Sequence, residues 1–275
     1  MHDFVDANRR HWDELVDIHA RSSFYDLAGF KEGGSTERRS AFFKLEIQEL
    51  GDVAGRTLLH LQCHFGMDTL SWARLGATVT GVDFSEESIA LARSLSHELD
   101  IPAEFVCSDV YALPTVLDAT FDVVYTSFGV LCWLPNLHDW AEVISHFLRP
   151  GGAFYIAEQH PFANIFSTRR AIDHLDIESS YFHSEHPRKF EGDGSYAAPD
   201  AKFTNDVTYE WQHSLSDVIN ALISAGLRID FLHEHAFSSW RRFPFMAEGA
   251  DGLWRLPEGL RDKLPLTFTL KATKA

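Results

Sequence analysis

One stretch, TLLHLQCHFGMDTLSWARLGATVTGVDFS from Thr57 to Ser85, constrains the fold of this chain more than any other. A short apolar run ends in a turn at Gln62 to Gly66, a helix-length amphipathic segment opens at Met67, and a second apolar run from Thr78 ends on Asp83. Strand, tight turn, helix and strand in that order form the crossover unit of a parallel sheet. In such a unit the turn lets backbone approach a ligand, and an acid at the tip of the second strand can accept both hydroxyls of a ribose. Asp83 stands 17 residues beyond Gly66, close to the ~20-residue spacing of nucleotide-binding units.

The alternation continues along the chain. Apolar runs predict strands at 57–61, 78–82, 103–107, 121–126 and 153–158, with helices at 67–75, 86–99 and 138–148 between them. Ser85 is placed to cap the second of these helices, and Pro150, Gly151 and Gly152 end the third and turn the chain into its next strand. Ser214 and Asp217 have capping-box spacing before a further helix that stops at Gly226, and 227–232 and 266–272 read as two more strands. The class is α/β.

Upstream, Phe4, Ala7, His11, Leu15 and Ile18 predict one or two amphipathic helical turns, Ser22 to Ser35 a loop, and Thr36 to Leu50 a helix. Residues 159–210 lose all period and gain His, Pro, Gly and Ser, as long functional loops do. The expected organisation is an N-terminal helical cap over 1–55, an α/β domain over 56–160 plus 209–275, and an insertion over 161–208 that serves as a substrate lid.

Charge narrows the partners. The formal net charge is −16, which repels phosphate backbones, so neither nucleic acid nor an anionic membrane surface is an expected partner and a small molecule is. No stretch reaches membrane-spanning length, and Cys63, Cys107 and Cys132 sit in apolar stretches without a CxxC spacing, so the expected compartment is the cytoplasm. Fifteen histidines include the pairs His183/His186 and His233/His235, but neither has the helical spacing of HExxH, and no metal is expected.

The turn HLQCHFGMDT resembles that of a bacterial subset of class I S-adenosylmethionine-dependent methyltransferases, in which HLQCH-x-G-x-DT replaces the usual acid-x-Gly-x-Gly-x-Gly. Aligned on Gly66, the glycine-rich pattern would place His60 at the acid and Gln62 and His64 at the first two glycines. RPGGAFYIAE and LPLTFTLKA resemble the fifth and last strands of the same fold. The resemblance implies a Rossmann-like doubly wound sheet of seven strands in the order 3-2-1-4-5-7-6, mostly parallel with an antiparallel final strand and helices on both faces. It implies S-adenosylmethionine as cofactor, with S-adenosylhomocysteine as product. His60, Gln62, Cys63, His64, Gly66 and Asp68 would surround its amino acid half, and Asp83, with Phe84 and Ser85, its ribose. Ser108, Asp109 and Val110 would meet the adenine, and Ser127 and Phe128 the mouth of the site. The tip of the fourth strand, FDVVYTSFGVLCWLP, lacks the Asn/Asp-Pro-Pro-aromatic pattern of members that methylate nucleic acid bases.

Tyr25, Phe128 and Trp133 are the acceptor-facing candidates, with core packing the alternative for each. His160 follows the fifth strand directly and is the candidate general base, ahead of Glu158 and Tyr125; a loop histidine bonded to backbone is the alternative. Asp68 and Thr69 either cap the helix or meet the cofactor. Two other functions share the strand-turn-helix: a binding module that keeps the pocket without turnover, and a nicotinamide dehydrogenase, which requires a GxGxxG turn and a parallel sixth strand.

Overall fold

The computed structural model describes residues 2–33, 37–192 and 194–275. Its centre is the expected crossover series. β1 (Thr57–Leu61), β2 (Thr78–Asp83), β3 (Glu104–Cys107), β4 (Phe121–Ser127) and β5 (Leu148–Gln159) alternate with α4 (Met67–Arg74), α5 (Glu86–Glu98) and α6 (Leu137–Phe147). They follow three N-terminal helices, α1 (His2–Ala20), α2 (Leu27–Lys31) and α3 (Glu37–Leu50). After β5 come a hairpin of β6 (Arg188–Glu191) and β7 (Val207–Glu210), then α7 (Leu215–Ser224) and β8 (Leu227–His235). Three two-residue strands, β9 (Phe237–Ser238), β10 (Ala247–Glu248) and β11 (Trp254–Arg255), precede β12 (Thr267–Lys274).

The seven-stranded sheet runs β3-β2-β1-β4-β5-β12-β8. Counted along the chain within this sheet, that is 3-2-1-4-5-7-6. The pairs from β3 to β5 are parallel, whereas β12 lies antiparallel between β5 and β8. A dehydrogenase sheet has no such strand. Period-two alternation splits the core into two layers. Val124, Phe154 and Ile156 face Trp140 and Ile144 of α6 and Val218 and Leu222 of α7, while Val123, Tyr125 and Tyr155 face Phe42 of α3 and Trp72 of α4.

Local chemistry explains the boundaries. Ser85 Oγ accepts from Ser88 N at 3.0 Å to cap α5, and Ser214 and Asp217 form the capping box of α7. Pro150 to Gly152 fall inside β5, where the register against β4 shifts, instead of in a turn before it. Two N-terminal expectations are corrected. The first segment is a 19-residue helix, packed on α5 and β7, and the stretch read as loop contains α2, whose Asp26 side chain caps Gly29 N. The expected helix start at Thr36 lies outside the described residues.

Gly66 is where backbone freedom decides the fold. It opens α4 at φ +79°, and a Cβ there would stand 2.7 Å from the Phe105 ring and 2.9 Å from Ala92 Cβ. Gly66→Ala adds left-handed strain to overpacking and is expected to destabilise the protein by about 3 kcal/mol in a urea titration. A loss below ~0.5 kcal/mol would mean that this turn is looser than its packing indicates.

Candidate functional site

The carboxyl ends of the parallel strands open into a cavity of about 740 Å³, where ligands of open α/β sheets bind. Its floor is the turn after β1. Gln62, His64 and Gly66 adopt φ of 56°, 52° and 79°, so two of the three left-handed positions that glycines usually hold are kept by residues with side chains. Each non-glycine there costs roughly 1 kcal/mol, and neighbouring contacts offset it. His64 N donates to Asp83 Oδ2 at 2.8 Å, and Cys63 N donates to Val82 O at 2.8 Å. The His64 ring stacks on Tyr25 and His19 and meets Trp12 edge-on.

That stack joins three distant parts of the chain. His19 Nδ1 lies 3.1 Å from His64 Nε2, His19 Nε2 lies 2.7 Å from Ser195 Oγ, and the Tyr25 and Tyr196 hydroxyls bond each other. Burial drives the His19 pKa down to about 3, so this ring is neutral and one of its nitrogens accepts. Trp12 also meets Trp133 edge-on at 5.4 Å. Tyr25, Trp12 and Trp133 therefore line the cavity through packed rings.

Beneath the turn His60 is fully engaged. Its Nδ1 lies 2.8 Å from Thr69 Oγ1 and its Nε2 3.3 Å from Ser127 Oγ, which in turn donates to Asp68 Oδ2 at 3.3 Å. The carboxylate beside the turn is thus supplied by Asp68, from the first turn of α4, and the helix has no side-chain cap. Gln62 Oε1 is buried without a hydrogen-bond partner among the described residues. A buried, unmatched acceptor beside a carboxylate suits an ammonium group.

Two acids end neighbouring strands at the other side of the floor. Asp83 is almost wholly buried; Oδ1 accepts from Ser85 N at 3.0 Å and Oδ2 from His64 N. Burial lifts its pKa from 3.8 to about 6 against those hydrogen bonds. Asp109 is half-buried and accepts from Tyr111 N at 2.8 Å. His60, Gln62, Cys63, His64, Gly66, Asp68, Asp83, Phe84, Ser108, Asp109, Val110, Ser127 and Phe128 all line this one cavity.

Two site expectations are corrected. Ser85 is not among the lining residues: it is wholly buried, caps α5 and donates to Asp13 Oδ1 at 2.6 Å. His160 is not among them either. Its Nε2 lies 2.8 Å from Glu234 Oε1 and its Nδ1 accepts from Phe162 N at 3.1 Å, because its backbone bond to Leu266 O turns the side chain toward β8. With both ring nitrogens committed there, the ring is not part of the cavity lining. Phe128 lines the cavity while its ring meets Phe42 at 4.4 Å, so it is also core.

Glu158 has a different part from the base once considered. It is buried, and its carboxylate accepts from Gly129 N at 2.6 Å, Val130 N at 2.8 Å, Leu131 N at 3.2 Å and Gln159 N at 2.6 Å, fixing the loop beyond β4. Tyr125 OH donates to Glu46 Oε1 at 2.7 Å. Among the polar lining residues that sequence reasoning missed are Glu46, Asn164, Glu210 and Arg242. Glu46 had a signal, an acid between Leu45 and Ile47 on an otherwise apolar run; the others come from segments without period.

Known proteins place this geometry. The fold is that of the class I S-adenosylmethionine-dependent methyltransferases, and residues 59–156 match the family model described as a methyltransferase domain. In particular, the chain is similar to the ubiquinone biosynthesis O-methyltransferase of Chromobacterium violaceum, with 30% identity over 106 residues, 38% of this chain and 45% of the relative. The chain thus spans less than half the length of that curated relative. Among solved structures, an S-adenosylmethionine-dependent methyltransferase from Mesorhizobium loti aligns with TM-score 0.59 at 21% identity over 85% of this chain and 98% of that one. Another, from Clostridium acetobutylicum, aligns with TM-score 0.60 at 14% identity over 91% and 96%. Among the described residues no helix is long and apolar enough to cross a membrane.

Proposed function

We propose that this chain transfers the methyl group of S-adenosylmethionine to a small-molecule acceptor. The observation that carries the reading is the presence of Asp83 and Asp109 at adjacent strand tips in a cavity whose lining also presents Asp68 and the unmatched Gln62 Oε1. Asp83 would accept from the ribose hydroxyls, Asp109 and Val110 would meet the adenine, and Gln62 and Asp68 would hold the amino acid end. When bound, the cofactor supplies a methyl group already activated on a sulfonium. The protein's part is alignment and water exclusion. The insertion contributes here as a lid: Tyr196, Phe190 and Arg188 line the cavity, Asn205 is tied to Glu14 of α1, and Tyr209, just past the insertion, to Asn8. Such enclosure and the net charge of −16 favour a small acceptor over nucleic acid. Three free cysteines fit a reducing compartment, the cytoplasm.

Isothermal titration with S-adenosylhomocysteine tests this. Ionised Asp83 accepts from the ligand, and protonated Asp83 loses that capacity. Affinity is therefore expected to be level above the Asp83 pKa of about 6, and to fall below it by about tenfold per pH unit. Without ligand the sign reverses: the raised native pKa means that the Asp83 contribution to folding stability declines as pH rises from about 4 to about 6. Absence of binding between pH 7 and 8 would remove the proposal.

A further inference from the structure

With the nucleoside over the tips of β2 and β3, the rest of the cavity lies over β4 and β5, under the insertion. Two charged side chains from segments distant in sequence line it: Glu210, the last residue of β7, and Arg242, beyond β9. Arg242 Nε donates to Ala163 O at 3.2 Å and Nη1 donates to Gln159 Oε1. The Glu210 carboxylate accepts no hydrogen bond among the described residues, and its position is held through Trp211 N, which donates to Cys132 O at 2.8 Å in the loop beyond β4. The two charges feel each other without closing to an ion pair.

Both are half-buried in the cavity lining. Burial raises the Glu210 pKa to about 7 against the pull of Arg242 and Arg188, and lowers that of Arg242 to about 10. Among the described residues, Glu158, Cys132 and Arg188 also act on the pair. Desolvated charges that are not joined to each other are costly unless something bridges them. The same wall carries the indole N–H groups of Trp133 and Trp211 and Asn164 Oδ1, all buried without partners among the described residues. Aromatic rings and unmatched polar atoms together suit a flat, oxygen-bearing ligand.

We propose that Glu210 and Arg242 are the acceptor-binding pair of this cavity, and that the acceptor is a phenol whose reacting hydroxyl faces Glu210 while a neighbouring oxygen is held by Arg242. This rests on the methyl-transfer reading. A neutral hydroxyl is a weak nucleophile, and Glu210 is placed to take its proton where other lining glutamates are engaged: Glu158 by four backbone N–H groups, Glu178 by Arg169 and Glu46 by the Tyr125 hydroxyl. The acceptor O–H bond breaks with the proton passing to a Glu210 oxygen. The oxygen's electron pair forms the bond to the methyl carbon, and the carbon–sulfur bond breaks with its pair left on sulfur as a neutral thioether. The guanidinium favours an acceptor that develops negative charge as its proton leaves over a neutral aromatic amine, whose attacking nitrogen becomes cationic.

The test separates the two levels. S-adenosylhomocysteine affinity is measured first for wild type, E210Q, R242M and R242K, and all four are expected to agree within about threefold, because neither residue lies in the nucleoside half. Catechol, 2-hydroxybenzoate and 4-nitrophenol are then titrated into the loaded protein by tryptophan fluorescence, with 1,2-phenylenediamine as the amine counterpart, and labelled methyl transfer to each is followed. At least one phenol is expected to bind, about tenfold more weakly in R242M and with partial recovery in R242K. E210Q is expected to keep that binding within about threefold, to lose about 100-fold in methyl transfer, and to lose the rise in rate through pH 7. Protein that binds S-adenosylhomocysteine but none of the phenols, variants that match wild type, or preference for the diamine would each overturn the pair's assignment. Failure of S-adenosylhomocysteine to bind would overturn the wider reading and this one with it.

Discussion

Asp83→Ala is expected to weaken S-adenosylhomocysteine binding about 1000-fold in calorimetry at pH 8, since two hydrogen bonds to a charged group at roughly 2 kcal/mol each are lost. The expectation depends on the carboxylate being pre-aimed: Oδ1 and Oδ2 are already fixed by Ser85 N and His64 N, so the ligand meets an ordered group and little ordering entropy is spent. Asp83→Asn separates charge from shape, because its amide oxygen can still accept from one backbone N–H, and it should fall between wild type and Ala. Wild-type affinity in Asp83→Ala would remove the ribose assignment and, with it, the reason for placing a nucleoside at this end of the cavity.

The second large effect concerns the loop beyond β4. Glu158→Gln presents an amide N–H₂ to backbone donors at Gly129, Val130 and Leu131 that now converge on carboxylate oxygens. At least one buried donor is left unmatched, with an expected loss of about 3 kcal/mol in urea unfolding. Burial already raises the pKa of Glu158, so the four N–H bonds are what keep an ion tolerable there. Because the same loop carries Trp133, the variant should also bind acceptors more weakly while retaining its grip on S-adenosylhomocysteine. Unchanged stability would show that solvent replaces the lost partner and that the loop is not braced from below.

Different parts of this molecule differ in how far they can be read from residues alone. β1, α4 and β2 are legible because burial on both faces forces continuous apolar runs, and because an acid such as Asp83 ending one of them has few structural reasons to be there. The antiparallel β12 followed from resemblance; nothing in TFTLKATK by itself states its direction. The turn was legible as a turn but not in shape, since the positive φ at His64 is backed by packing from α1 and Tyr25 and by Asp83. His160 misled because adjacency to a strand end was taken for orientation, whereas pairing with Leu266 O settles which way the ring points. Glu210 and Arg242 were missed for the opposite reason: the closure of two aperiodic segments brings them together, and no spacing announces it.

The rings stacked on His64 bear on where this protein can be divided. A cradle of glycines would leave its outer surface bare and indifferent to whatever precedes it in the chain. Here the cradle has a handle: two residues of the first helix, Trp12 and His19, and Tyr25 from the turn after it grasp it, while Ser195 and Tyr196, between the two hairpin strands, hold His19 in turn. The segment picked out by family similarity, 59–156, is therefore not a physical unit: cut free, it would expose the very imidazole that shapes its ligand bend, and the appendages on either side would lose what they close upon.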